Sequence, residues 1–212
     1  MKALLFDLDG TLLDTSKGIG ASLQYTLKQL GLKTIPDNEL QRFIGPPIQL
    51  SLAENYGLSK EEADAGAAIF RKHYSEESLL FANYYDGMED TLTKLKARGV
   101  MMGVATYKRE DYALKLLQHF GVERFCPVMH GADAAGKMTK ANIVDMCIRE
   151  MGVEREETVL VGDTDHDAKG AANAGIGFIA VTWGFGYHKA SDIQDYPCRA
   201  IIDHPSQLLD II

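Results

Sequence analysis

The chain is short of cysteine, of basic charge and of long apolar runs. Its three cysteines, Cys126, Cys147 and Cys198, lie far apart, are odd in number and never form a C-x-x-C pair. That argues against a structural zinc site or a disulfide framework and for small buried hydrophobes in a reducing compartment. Acidic residues outnumber basic ones 30 to 22, for a net charge of −8. Nucleic-acid backbones and anionic membranes select basic surfaces, so neither is expected as the main partner. A small anionic substrate stays compatible, because a metal and a few basic residues can overrule the global sign locally. The apolar run after Lys2 ends at Asp7, too soon for a signal peptide. GIGFIAVTWGFGY (175–187) is short for a membrane span and rich in glycine. Internal repeats and low-complexity tracts are missing too. The expectation is a soluble, cytoplasmic protein.

What is present is enough apolar content, 46% of 212 residues, for one substantial core or a core with a smaller attached unit. Strand-like runs recur at KALLFDL (2–8), GVMMGVAT (99–106), FCPVMH (125–130), ETVLVGD (157–163), GFIAVTW (177–183) and, more weakly, RAIID (199–203). They show little polar alternation, as strands covered on both faces do. Helical patterns separate them: GMEDTLTKLKARG ends in Gly99, REDYALKLLQHFG in Gly121, and TKANIVDMCIREMG starts on Thr139 as a plausible N-cap. The alternation predicts an α/β fold with a doubly wound parallel sheet. Residues 16–82 break the rhythm with helical segments punctuated by Gly31, Pro36, Gly45, Pro46, Pro47 and Gly57. The expected organisation is a core of residues 1–15 and 83–212 with an all-helical insertion at 16–82.

Ligands of open parallel sheets bind beyond the carboxyl ends of the strands. Those ends carry Asp7 and Asp9, then Thr106, then Asp163 in VGDTDHD, with Lys137 and Lys140 after the third strand. Asp7, Asp9, Asp163, Asp165 and Asp167 would crowd negative charge into one crevice and raise each other's pKa. A divalent cation resolves the conflict, and oxygen-only ligands favour Mg²⁺ or Ca²⁺. With a lysine, a threonine hydroxyl and helix N-termini nearby, the site suits a phosphoryl group.

DLDGT at 7–11, Thr106 after GVA, Lys140 opening a helix, and GDTDHD at 162–167 resemble the four motifs of the haloacid dehalogenase (HAD) superfamily. The helical insertion after the first motif resembles the C1-type cap. FIGPPI (43–48), FRKHYSE (70–76), YYDGMEDTL (84–92) and TWGFGY (182–187) are similar to the branch of phosphoglycolate phosphatases and 5′-nucleotidases. The resemblance implies a Rossmann-like core, Mg²⁺ as cofactor and hydrolysis of a small phosphorylated metabolite; the chain is expected as a monomer or homodimer. It implies that Asp7 is the nucleophile that forms an aspartyl-phosphate and that Asp9 protonates the leaving oxygen and then activates water. Asp7, the Asp9 backbone carbonyl and Asp163 would hold Mg²⁺, with Asp167 supporting the metal shell or positioning Lys140. Thr106 would donate to the phosphoryl oxygens and Lys140 would neutralise charge. The motif-three lysine is Lys140 or Lys137, and TKANIV favours Lys140. Gly10, Thr11 and the Tyr107 backbone would meet the phosphoryl group. Arg42, Gly45 and Arg71 are the candidates to face the leaving group.

Tyr107 stands where the branch often has Asn or Ser. Lys108 reads as a solvated residue at the start of the next helix, His166 as surface and Asp165 as a helix N-terminal charge. Trp183, Phe185 and Tyr187 read as core and loop packing. A β-phosphoglucomutase-type sugar-phosphate mutase shares all four motifs and the cap, although GPPI is unlike the basic cap loop of such mutases. A 2-haloacid dehalogenase would not need Asp9. A non-catalytic regulatory protein would not need every catalytic side chain to be present.

Overall fold

A computed structural model describes residues 2–36, 39–40, 43–44, 47–135, 137–193 and 196–212. In chain order the elements begin with β1 (Ala3–Phe6), β2 (Leu13–Asp14), α1 (Ser16–Gln29), α2 (Ile48–Tyr56) and α3 (Lys60–His73). A π-helical turn (Tyr74–Ser78) leads to β3 (Asn83–Tyr84), α4 (Met88–Ala97), β4 (Met101–Arg109), α5 (Glu110–His119) and β5 (Val128–Ala132). Then come α6 (Lys140–Met151), β6 (Thr158–Gly162), α7 (Asp165–Ala174), β7 (Gly177–Val181), β8 (Ala200–Ile202) and α8 (Leu208–Ile211). The chain divides into two compact units, one running to Asp14 and resuming over Tyr84–Ile212, the other Thr15–Asn83.

The first unit is built on a six-stranded sheet in the order β5-β4-β1-β6-β7-β8, parallel at every pairing. β1 and β6 are buried along their whole length, which is why both read as unbroken apolar runs. Leu5, Leu160, Phe178, Ile143, Val144 and Cys147 belong to one hydrophobic cluster between sheet and helices. Cys126 is buried as well and Cys198 partly so, as small hydrophobes. The chain leaves β1 toward β4 and β5 on one side, then returns to β6 on the other. That reversal opens the crevice where such sheets bind ligands, beyond the ends of β1, β4 and β6.

Thr139 starts α6 with a reciprocal capping box to Asn142, and Gly152 ends it. Thr164 and Asp167 do the same for α7, so the acidic run GDTDHD begins that helix with Asp165 in its first turn. β4 departs from the sequence expectation. It does not end at Thr106 but runs to Arg109, and α5 starts at Glu110. Its pairing with β5 slips between Ala105↔His130 and Arg109↔Ala132, a bulge over Thr106–Lys108. Gly131 of β5 accommodates the bulge, since a Cβ there would lie 2.6 Å from both Lys108 O and Glu110 Cα.

The second unit is helical. Leu23, Leu27, Leu52, Ala63, Ala67 and Phe70 form its buried interior. The buried Ser78 hydroxyl donates to Gly18 O (2.8 Å) and therefore accepts from Ser22 Oγ (2.6 Å). Ser22 has then used its only proton, so its 2.9 Å contact with His73 requires that Nδ1 carry hydrogen. Half of PDNELQRFIG lies outside the described residues, and with it the candidates Arg42 and Gly45.

Leu160 is fully buried at the centre of the parallel sheet. Leu160→Ala removes apolar contact and leaves a cavity between rigid strands, an expected loss of about 2–5 kcal/mol. Urea unfolding should show a lower midpoint at an unchanged slope.

Candidate active site

The ladder of β1 continues one residue past the strand, where Asp7 N–H donates to Val161 O (2.9 Å). The chain then turns back on itself: Leu12 and Leu13 N–H both donate to Leu8 O. Gly10 has φ +83°, and a Cβ there would overlap the Asp163 carboxylate, so turn and site both require glycine. Thr11, also buried, donates from Oγ1 to Asp163 Oδ1 (3.2 Å).

Lys140 opens α6 with its side chain only 4% exposed. Its Nζ lies 2.6 Å from Asp7 Oδ1 and 2.6 Å from Asp167 Oδ1. Gly170 makes room for it, because a side chain there would overlap the lysine's own carbons. Asp167 Oδ2 in turn accepts from Thr164 Oγ1 (2.7 Å) and Thr164 N–H (3.1 Å). Asp163 Oδ2 accepts from the backbone N–H groups of Phe185 (2.8 Å) and Gly186 (3.2 Å). Thr106 is buried at the bulge, and its Oγ1 accepts from Lys108 N–H (3.2 Å). Asp9 faces Lys108, whose Nζ is 3.0 Å from each carboxylate oxygen.

The site thus brings together Asp7, Asp9, Thr11, Thr106, Lys140, Asp163 and Asp167. Of the two candidate lysines, Lys140 reaches Asp7, whereas Lys137 is exposed and uses its backbone N–H on Asp133 (2.9 Å). Tyr107 is 45% exposed and its ring meets that of His166, 5.9 Å between centroids. Asp165 accepts from the Tyr187 hydroxyl (2.7 Å), and Trp183 Nε1 donates to Thr11 O (3.1 Å). Arg71 belongs to the helical unit, where it is exposed and donates to Gln49 (2.9 Å). The solvated role expected for Lys108 is overturned: its side chain is 8% exposed, on strand rather than helix. The sequence reading also missed Thr164 and the Phe185 and Gly186 amides. Thr164 had a usable signal, the T-x-x-D capping pattern.

Among the described residues, one oxygen from each of Asp7, Asp163 and Asp167 lies within 4.8 Å of the others. Burial pushes the Asp7 carboxyl up to about 6 against the pull of Lys140. Burial, then Asp167 and Asp7, push Asp163 up to about 8. Burial works against the Lys140 ammonium, yet Asp167 and Asp7 outweigh it and hold the proton on. Three buried acids and one buried base leave excess negative charge when all are ionised. All-oxygen donors of this kind fit a hard divalent cation, Mg²⁺ or Ca²⁺.

A family model for haloacid dehalogenase-like hydrolases matches residues 4–181. The chain belongs to that family. The tyrosine-protein kinase PtkA of Mycobacterium tuberculosis is 33% identical to it over 208 residues, covering 97% of this chain and 69% of PtkA. A 5′-nucleotidase of Pseudomonas aeruginosa is 32% identical over 184 residues, covering 86% and 83% of the two chains. A haloacid dehalogenase-like hydrolase from Streptococcus pneumoniae superposes with a TM-score of 0.91 at 28% identity, over 100% of this chain and 98% of that one. The resemblance carried by DLDGT and GDTDHD is therefore one of family.

Asp7 and Asp163 bind their protons more tightly when folded than unfolded carboxylates do, which titrate near about 4. Raising the pH from about 4 to about 8 strips protons that the fold favours, so the metal-free protein loses stability across that window. Thermal unfolding in EDTA should give a falling midpoint over this range. A divalent cation should raise the midpoint more at about pH 8 than at about pH 5. A flat metal-free profile would contradict this electrostatic account.

Proposed function

We propose that the chain is a Mg²⁺-dependent phosphatase that hydrolyses a small phosphomonoester, phosphoglycolate or a 5′-nucleotide-like metabolite, through an aspartyl-phosphate on Asp7. The observation that carries this reading is the buried Lys140 held against Asp7 and Asp167, 2.6 Å from each, beside Asp163. Family membership makes the chain a hydrolase. A carboxylate poised by an ammonium in a dry crevice is equipped to attack phosphorus, which haloacid chemistry would not require in combination with Asp9.

In this reading an Asp7 oxygen forms a bond to phosphorus while the ester P–O bond breaks. The leaving oxygen takes a proton from Asp9. Asp9, now a carboxylate, takes a proton from water as that water attacks the aspartyl-phosphate, releasing inorganic phosphate and restoring Asp7. The Thr106 hydroxyl donates to a phosphoryl oxygen, and Lys140 offsets charge on Asp7 and the transferring group. Asp7, the Asp9 carbonyl and Asp163 would hold Mg²⁺, which supplies charge neutralisation at the phosphoryl oxygens. Asp167, ion-paired through Oδ1 with the Lys140 ammonium, would support the metal shell or position that lysine. The Tyr107 amide with Gly10 and Thr11 would flank the phosphoryl group. The helical unit is proposed to act as a C1-type cap that excludes water, with Arg71 as its candidate contact to the leaving group. A cytoplasmic monomer or homodimer with no nucleic-acid or membrane partner completes the proposal. Among the described residues no helix is long and apolar enough to cross a membrane.

Purified protein should release inorganic phosphate from some member of a phosphomonoester panel with Mg²⁺ and not with EDTA. Asp7→Asn should abolish turnover, and Asp9→Asn should lower kcat by ~10²–10⁴-fold. Isomerised sugar phosphate without free phosphate would indicate a mutase, and phosphate passed to a protein hydroxyl would indicate a kinase. No turnover of any ester would sink the catalytic reading.

A further inference from the structure

We infer that Lys108 is a positioning residue for the Asp9 carboxylate. The inference rests on the proposed role of Asp9 as proton donor and acceptor. Lys108 Nζ stands 3.0 Å from both Asp9 oxygens, and the two side chains are only 8% and 20% exposed. Exposed ion pairs are worth little because water screens them and two long side chains must be ordered. This pair is largely dry, and it joins segments 99 residues apart, the loop after β1 and the end of β4.

The backbone makes a specific provision for the contact. The slip of β4 against β5 takes Thr106, Tyr107 and Lys108 out of register, with four residue steps on β4 spanning two on β5. Bulges re-aim side chains beside functional sites. Here Thr106 and Lys108 turn inward and Tyr107 outward. Gly131 packs against Lys108 O at a distance no side chain would allow, and its N–H donates to Glu110 Oε2 (3.1 Å), which ties the bulge to the start of α5.

A side chain that must hand a proton to one oxygen and take one from another needs a fixed place. The even lysine contact holds the plane of the carboxylate without reserving either oxygen. When the ester P–O bond breaks and the Asp9 proton passes to the leaving oxygen, negative charge develops on Asp9 beside an ammonium already in place.

General-acid help matters most where the leaving oxygen is strongly basic. Lys108→Met should therefore lower kcat on an alkyl phosphate such as phosphoglycolate by ~10²-fold, and on p-nitrophenyl phosphate by only a few-fold, with KM little changed. Lys108→Arg should recover part of the alkyl-ester rate. In an Asp9→Asn background, Lys108→Met should cost almost nothing more, because residues that act as a unit are non-additive. Lys108→Gln gives a second test if Lys108→Met fails to fold. Equal losses on both esters, a change confined to KM, or an additive double variant would overturn the inference and leave the phosphatase reading standing. A wild-type protein that hydrolyses no phosphomonoester at all would overturn both.

Discussion

Lys140 carries an ammonium into an interior where an unpaired charge is not tolerated, and it is held there by Asp7 and Asp167 together. Burial by itself pulls the lysine toward neutrality and pushes Asp7 toward protonation, and the two acids together outweigh burial at the lysine. A buried ion pair is weak evidence for stability, because desolvation consumes much of the Coulomb gain. In the proposed reaction the arrangement makes better sense as preorganisation: charges fixed in a dry crevice before the substrate arrives would need no rearrangement when phosphorus is attacked. The parallel sheet supplies the rigidity. Asp7 is fixed by the last ladder bond of β1, Asp163 by the end of β6, and Lys140 by the first turn of a capped helix.

Much of this was legible because buried parallel strands write themselves as apolar runs. Where such a run stops, the first polar residues mark the carboxyl edge of the sheet, and Asp7, Thr106 and Asp163 stand there. The helix signals worked for a local reason: the Thr139 hydroxyl accepts from the Asn142 amide three residues on, so TKANIV announces its own start. That same start decided between Lys140 and Lys137.

What stayed hidden depends on partners distant in the chain. ATYKRE looks like the opening of a helix, because a strand that turns polar cannot be told from a helix N-terminus by periodicity. Only the slip against β5, with Gly131 beneath it, keeps β4 extended to Arg109. Lys108 was misread for the same cause, since nothing near it in sequence shows that Asp9 waits 99 residues away. The donors to Asp163 were hidden differently. They are amides of Phe185 and Gly186, and a backbone N–H has no signature in residue type.

Those amides show why TWGFG is glycine-rich. Asp163 is completely buried, so its oxygens need donors at close range, and the loop after β7 can bring them only if its backbone nearly touches the carboxylate. A Cβ on Gly184 would overlap both Asp163 Oδ2 and Gly10 O, just as a Cβ on Gly10 would overlap Asp163 from the other side. The acids on alternate residues of DLDGT are therefore one half of a requirement whose other half is an absence of side chains. Charge can be concentrated at the end of a buried strand only where neighbouring backbone closes over it, and glycines at Gly10 and Gly184 let it do so from opposite ends of the sequence.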